Sequence, residues 1–305
     1  MKNPYPTRWL QFVFLNIASI SFNVQAKNIY STPPTITHEN VSYGEHPNQI
    51  FDFWKADVEG PAPLVIYIHG GGFRSGSHDK VYGDKVQQFL KSGVHHASIE
   101  YRFRQHAELP AAHEDVTRAL QFIRNKADEW GINKNRIAAY GGSAGGQLVS
   151  YLAWHDDFAN AQSDDPIARE SSRLTAVAPR GVQSTMDKGW WVENIPGYKK
   201  AFYKAQELSK PGVRDLLKEL SIITHISADD PPTFMSYGMS PDSPIPRNKK
   251  SVKGWATHHV NFGIALKEQL KRKGVEVHLM YPEKQTVFKD DVAFLLYHLK
   301  AVSDE

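Results

Sequence analysis

The chain has 305 residues, of which 41% are hydrophobic and 23% charged, enough apolar material for one large packed core. The formal net charge of +3 is small and the lysines are dispersed, which excludes a nucleic-acid-binding surface. There is no cysteine, so disulfides, thiol nucleophiles, cysteine–zinc sites and a lipid-modified cysteine are excluded.

In chain order, the first 26 residues have the character of an export signal. Lys2 and Arg8 form a positive start, Leu10 to Phe22 an apolar stretch, and Val24-Gln25-Ala26 a small-residue cleavage site. That stretch is too short to span a bilayer. The mature protein is expected to begin near Lys27 and to be periplasmic or secreted, with no membrane association. Asn40–Ala56 reads as a hairpin, and Pro63–Phe73 as an apolar strand running into glycines. Asp79–Lys91 suits a helix and Val94–Tyr101 a strand. Ala111–Trp130 has helical spacing, with Val116, Leu120, Ile123 and Ala127 on one face. Arg136–Tyr140 is a strand, Ala144–His155 a helix and Leu174–Val182 a strand. Residues 183–228 break the rhythm, with helical stretches at Lys199–Leu208 and Val213–Leu220 and a GWW triplet at 189–191. An insertion there is expected to form a cap over the carboxyl ends of the strands. Pro232–Tyr237 is a strand, Asn261–Lys273 a helix closed by Gly274, Val275–Tyr281 the last strand and Val292–Lys300 a terminal helix. Strands alternating with helices define the α/β class, a mostly parallel sheet covered on both faces. The lysine clusters at 199–200, 249–250 and 271–273 read as solvated surface.

Two glycine motifs carry chemistry. GGSAG at 141–145 fits G-x-S-x-G, lying between an apolar strand and a helix. At average composition a chain of this size yields about 0.1 chance matches, so the strand–turn–helix setting is what makes the match informative. Glycines permit a sharp turn that lifts Ser143 to the top of the sheet, and the Ala144 amide at a helix start favours developing negative charge. HGGGF at 69–73 also follows a strand; the amides of Gly71 and Gly72 can approach a substrate with no side chain in the way. His69 is expected to hold this loop, not to act as a base.

HGGGF, EYRFRQHAELPAAHEDV at 100–116, NRIAAYGGSAGG at 135–146 and ADDPPTF at 228–234 together resemble the α/β-hydrolase serine esterases. The nearest groups are those like hormone-sensitive lipase and like bacterial feruloyl and acetylxylan esterases. The resemblance runs from about Asn40 to the end. It implies an α/β-hydrolase domain over residues 27–305, with Ser143 as nucleophile and Gly71, Gly72 and Ala144 as oxyanion hole. Arg102 and Asp115 match framework positions, and Asp229 and Asp230 a structural DDPP. The family's acid follows the strand PPTFMSY, where Asp242 is the carboxylate available, one residue late. The family's histidine position holds Thr286, which cannot exchange a proton near neutral pH. The replacement expected is His258 or His259 in GWATHHVNFG, which keeps the order Ser, Asp, His. His95, His96, His106, His113, His278 and His298 are weaker candidates. Trp190 and Trp191 are candidate substrate-stacking residues, with core packing of the cap as the plainer account.

The function expected is hydrolysis of small acyl esters, acetyl or feruloyl groups on carbohydrate, through an acyl-enzyme without cofactor or metal. The partner is a small-molecule or glycan ester. The alternative is an impaired hydrolase fold that binds a ligand or glycan. A peptidase on the same fold ranks below both, because no large substrate-gating domain is visible.

Overall fold

The computed structural model describes residues 31–198 and 212–301. The expected signal segment and the expected helix Lys199–Leu208 lie outside the described residues.

An eight-stranded sheet organises the chain. Its strands are β1 (His38–Ser42), β2 (Ile50–Trp54), β3 (Ala62–Ile68), β4 (His95–Ile99), β5 (Ile132–Gly142), β6 (Val177–Arg180), β7 (Thr233–Ser236) and β8 (Val277–Met280). The order is β1-β2-β4-β3-β5-β6-β7-β8. β1 and β2 form the expected hairpin, and β2 runs antiparallel to β4. All remaining neighbours are parallel.

Parallel central strands are buried on both faces, and β3 shows why its sequence is an almost unbroken apolar run. Leu64, Ile66 and Ile68 face one core while Val65 and Tyr67 face the other. The first core is closed by α2 (Ala111–Asn125), α4 (Ala144–Trp154) and α8 (Asn261–Arg272), and the second by α1 (Gly83–Lys91) and α9 (Asp291–Ala301). In α2, Ala112, Val116, Ala119, Leu120 and Ile123 repeat at helical spacing and are buried. The helix expected to continue to Trp130 breaks at Lys126; a short α3 (Ala127–Trp130) ends on left-handed Gly131.

The irregular stretch contains α5 (Lys188–Asn194) and α6 (Val213–Glu219). Gln147 Nε2 donates to the Leu220 carbonyl at 2.9 Å, Tyr151 Oη to Glu219 at 2.8 Å, and Asn261 Nδ2 to the Asn194 carbonyl at 2.7 Å. The insertion is thereby tied onto α4 and α8. α7 (Lys249–Thr257), absent from the sequence expectation, precedes α8 and carries the GWAT residues as its last turn. Among the described residues no helix is long and apolar enough to cross a membrane.

Candidate active site

Ser143 sits between the end of β5 and the start of α4 with φ 56° and ψ −121°, a left-handed backbone that costs a non-glycine residue strain. The turn is held because the Ser143 amide donates to the Arg180 carbonyl at 2.8 Å, and the Gln147 amide to the Ser143 carbonyl at 2.9 Å. Gly145 is required by close approach. A Cβ there would lie 2.0 Å from the Ile68 carbonyl oxygen, so any side chain would push α4 off the end of β3.

A cavity of about 470 Å³ opens over the serine. His69, Gly70, Gly71, Gly142, Ser143, Gly181 and His258 line its floor and walls. His258 follows α7, and its Nε2 is 3.4 Å from Ser143 Oγ. Its Nδ1 is 2.8 Å from the Gly181 carbonyl oxygen. A carbonyl only accepts, so Nδ1 carries the proton and Nε2 presents a lone pair to the serine. Gln183 Nε2 is also 3.3 Å from Nδ1, but its two hydrogens have better acceptors in the carbonyls of Thr257 (2.7 Å) and Gly181 (3.1 Å). Gln183 therefore clamps the β6 end to the α7 end, and Gly181, at φ 58°, turns its carbonyl toward the imidazole.

Of the expected bases, the structure brings only His258 to the serine. His259 is fully buried, accepts from the Asn261 amide at 3.2 Å and packs edge-on against Trp255. Burial lowers its pKa. Two consecutive residues leaving a helix point in different directions, and this pair splits between cavity and core. His95 and His96 are both buried, on opposite faces of β4. His95 is held by the Ala56 amide and the Gly131 carbonyl. Burial pushes His96 down to about 3 and His113 down to about 4. His106 stacks on Phe103, and His278 pairs with Glu276 at 2.8 Å.

Asp242 does not join the pair. It is exposed and, among the described residues, has no hydrogen bond or ion pair. Residues 240–243 close a turn, the Ser243 amide donating to the Ser240 carbonyl (3.1 Å) and the Ser240 amide to Ser243 Oγ (2.9 Å). Ser240 Oγ then anchors that turn to the Pro282 carbonyl at 3.1 Å, leaving Asp242 on its outer corner. A backbone carbonyl takes the place expected of the carboxylate, and no side-chain pattern announces a carbonyl. Thr286 is occupied locally, donating to the Phe288 carbonyl at 2.7 Å.

The tryptophans are likewise structural. Trp191 is buried, donates to the Thr185 carbonyl at 2.6 Å and packs on Tyr198 and Phe262. Trp190 packs on Phe262, and neither lines the cavity. Aromatic area seals α5 onto α8 here instead of meeting substrate.

The glycine loop meets the cavity through Gly70 and Gly71, while Gly72 lies one position beyond the lining in an exposed turn. Among the described residues, the amides of Gly70, Gly71 and Gly72 donate to no protein acceptor. Ala144 is the first residue of α4, where an amide has no partner within its own helix. His69 holds this loop as expected, bonded to the Gly70 carbonyl (2.7 Å) and to Glu100 (2.8 Å) and stacked on Tyr101. Burial acts to raise the Glu100 carboxyl, but the hydrogen bond from His69 and the nearby His78 imidazole, 3.6 Å away, outweigh it and hold it at about 2. Arg102 grips buried Asp115 through Nε and Nη2 at 2.7–3.0 Å, a framework role.

His155, Glu219 and His225 lie close enough to share a cation. They are already satisfied, His155 against Glu219 at 3.2 Å and His225 on the Glu219 carbonyl at 2.7 Å.

A strained serine at a strand–helix turn, at the carboxyl edge of this sheet, defines the α/β-hydrolase fold with a nucleophile elbow. The family model described as BD-FAE matches residues 52–253, and the chain belongs to that family. The match stops short of His258. A probable carboxylic ester hydrolase, LipM of Mycobacterium tuberculosis, is 27% identical over 228 residues, 68% of this chain and 48% of the relative. Versiconal hemiacetal acetate esterase of Dothistroma septosporum is 26% identical over 66% of this chain and 59% of its own. The chain spans about half or less of the length of the first curated relatives it matches. In fold it is similar to an acetyl ester-xyloside bifunctional hydrolase from Caldicellulosiruptor lactoaceticus: TM-score 0.60, 24% identity, 83% of this chain and 85% of that one. It is also similar to a truncated carbohydrate esterase from gut microbiota: TM-score 0.65, 18% identity, 90% and 99%.

Proposed function

We propose that the protein is a serine carboxylesterase working through an acyl-enzyme, with Ser143 as nucleophile and His258 as base. The observation that carries this is the hydrogen-bond chain Ser143 Oγ, His258 Nε2, His258 Nδ1, Gly181 carbonyl. It supports a base lone pair directed at the nucleophile, at the loose length such pairs have before substrate tightens them. As Oγ attacks the ester carbonyl, its proton passes to Nε2. The charged imidazole is held by the Gly181 carbonyl dipole in place of a carboxylate. The oxyanion is met by the free amides of Gly71 and Ala144, with Gly70 and Gly72 on the same loop. Collapse gives the leaving alcohol the proton from Nε2, and water then repeats the steps to release the acid.

The relatives' names support ester chemistry, and the carbohydrate-esterase fold neighbours support an acyl group on a sugar. The residues Lys2 to Ala26 support export. A second reading, a ligand-binding hydrolase fold with impaired catalysis, is favoured by the absence of Asp242 from the histidine. Stoichiometric labelling by a fluorophosphonate, lost in Ser143→Ala, together with hydrolysis of p-nitrophenyl acetate, is the expected result. No labelling and no hydrolysis above buffer would leave the binding reading standing.

A further inference from the structure

The cavity over Ser143 carries charge of one sign. Among the described residues its lining contains Lys80 and Arg180 and no aspartate or glutamate. Arg180 ends β6 in register with Gly142, the residue before the nucleophile. A Cβ at Gly142 would lie 3.5 Å from Arg180 Nε and 3.6 Å from Nη2, so the guanidinium rests against the elbow itself. Tyr82 steers it: Nη2 donates to Tyr82 Oη at 3.0 Å, and the guanidinium carbon is 5.9 Å from the Tyr82 ring centre. Several other cations of the fold are neutralised, Lys85 by Asp291, Arg102 by Asp115, Arg118 by Asp165 and Arg173 by Asp229. Among the described residues neither Arg180 nor Lys80 has a carboxylate partner. A guanidinium held by a tyrosine beside the proposed nucleophile, with spare donors facing a cavity whose described lining holds no acid, matches the fork of a carboxylate.

We propose that the ester cleaved at Ser143 bears a free carboxylate, bound by Arg180 and assisted by Lys80. This deepens the esterase reading and rests on it. The carboxylate sits on either the acyl or the alcohol side, and two substrate pairs separate these. On the acyl side, p-nitrophenyl hemisuccinate is compared with p-nitrophenyl butyrate. On the alcohol side, 4-acetoxybenzoate is compared with 4-acetoxybenzamide.

In at least one pair the wild type is expected to favour the anionic ester in kcat/KM by about tenfold or more, the worth of one charge-assisted contact. The preference should shrink with salt, fall about tenfold in Arg180→Gln through KM, and return in part in Arg180→Lys. A ratio near one in both pairs, or one that Arg180→Gln leaves unmoved, overturns the proposal. If no ester is hydrolysed, the esterase reading fails, and calorimetric titration with succinate against succinamide still decides the anion site. Succinate binding weakened tenfold or more by Arg180→Gln supports it. Equal binding of the amide, or no succinate binding, removes it.

Discussion

At the scale of single residues, the site is defined by where two adjacent histidines go. His258 faces the serine and His259 faces Trp255, so their alanine variants should fail differently. His258→Ala should lower kcat for p-nitrophenyl acetate by about a thousandfold or more, the scale of removing one member of a catalytic unit. His259→Ala should keep fluorophosphonate labelling of Ser143 while lowering the melting temperature, because it empties a buried position. Asp242→Asn should change kcat/KM by less than about twofold, since surface changes away from such features are nearly neutral. A hundredfold loss in that variant would return Asp242 to the mechanism. The elbow position of Ser143, the proposed nucleophile, was legible from G-x-S-x-G between a strand and a helix. The histidine was legible only as a pair, because adjacent identical residues carry no signal of which side chain turns inward.

At the scale of elements, the orientation of His258, the proposed base, depends on the junction of β6 with α7. Gly181 supplies the carbonyl at a positive φ, and Gln183 ties it to the Thr257 carbonyl at the end of α7. Gln183→Ala should leave the fold intact and reduce kcat more than it raises KM, since it loosens the imidazole and not the substrate; steady-state kinetics separates the two. α7 itself was missed in the sequence because Gly254 and a run of lysines obscure its helical spacing. Packing on the rest of the fold decides such a segment more than propensity does. The GWW triplet was open to substrate stacking or to core packing of the cap, and packing decided it: the tryptophans bury α5 against Phe262 of α8. Trp191→Ala should cost about 3–5 kcal/mol in denaturant unfolding, the range for a buried aromatic, without changing substrate preference.

At the scale of the molecule, one buried ionic cluster joins the hairpin, the glycine loop and β4. Glu100 accepts from His69 at 2.8 Å, and His78 Nδ1 lies 3.6 Å away. With the folded carboxyl at about 2 and its ordinary value at 4.5, its contribution is fully present above pH 4.5. It is lost as pH falls toward 2. Wild type should therefore exceed Glu100→Gln in stability at neutral pH, with the gap closing between pH 4.5 and 2 in urea melts. A gap that stays constant over that range would show that the cluster does not titrate as a unit.

The sequence by itself determined the α/β class, the hairpin that begins the sheet, the elbow serine and the glycine loop. Each rests on local chemistry: apolar periodicity, turn glycines and the sharp strand–helix junction are written over a few neighbouring residues. Only the tertiary structure decided which histidine meets the serine, that a carbonyl from β6 orients it, and that Arg180 shares the cavity. Those partners lie 77 residues apart for His258 and Gly181 and 115 apart for His258 and Ser143. Their meeting depends on the parallel strand order, which brings the ends of β5 and β6 side by side, and on how α7 packs beside them.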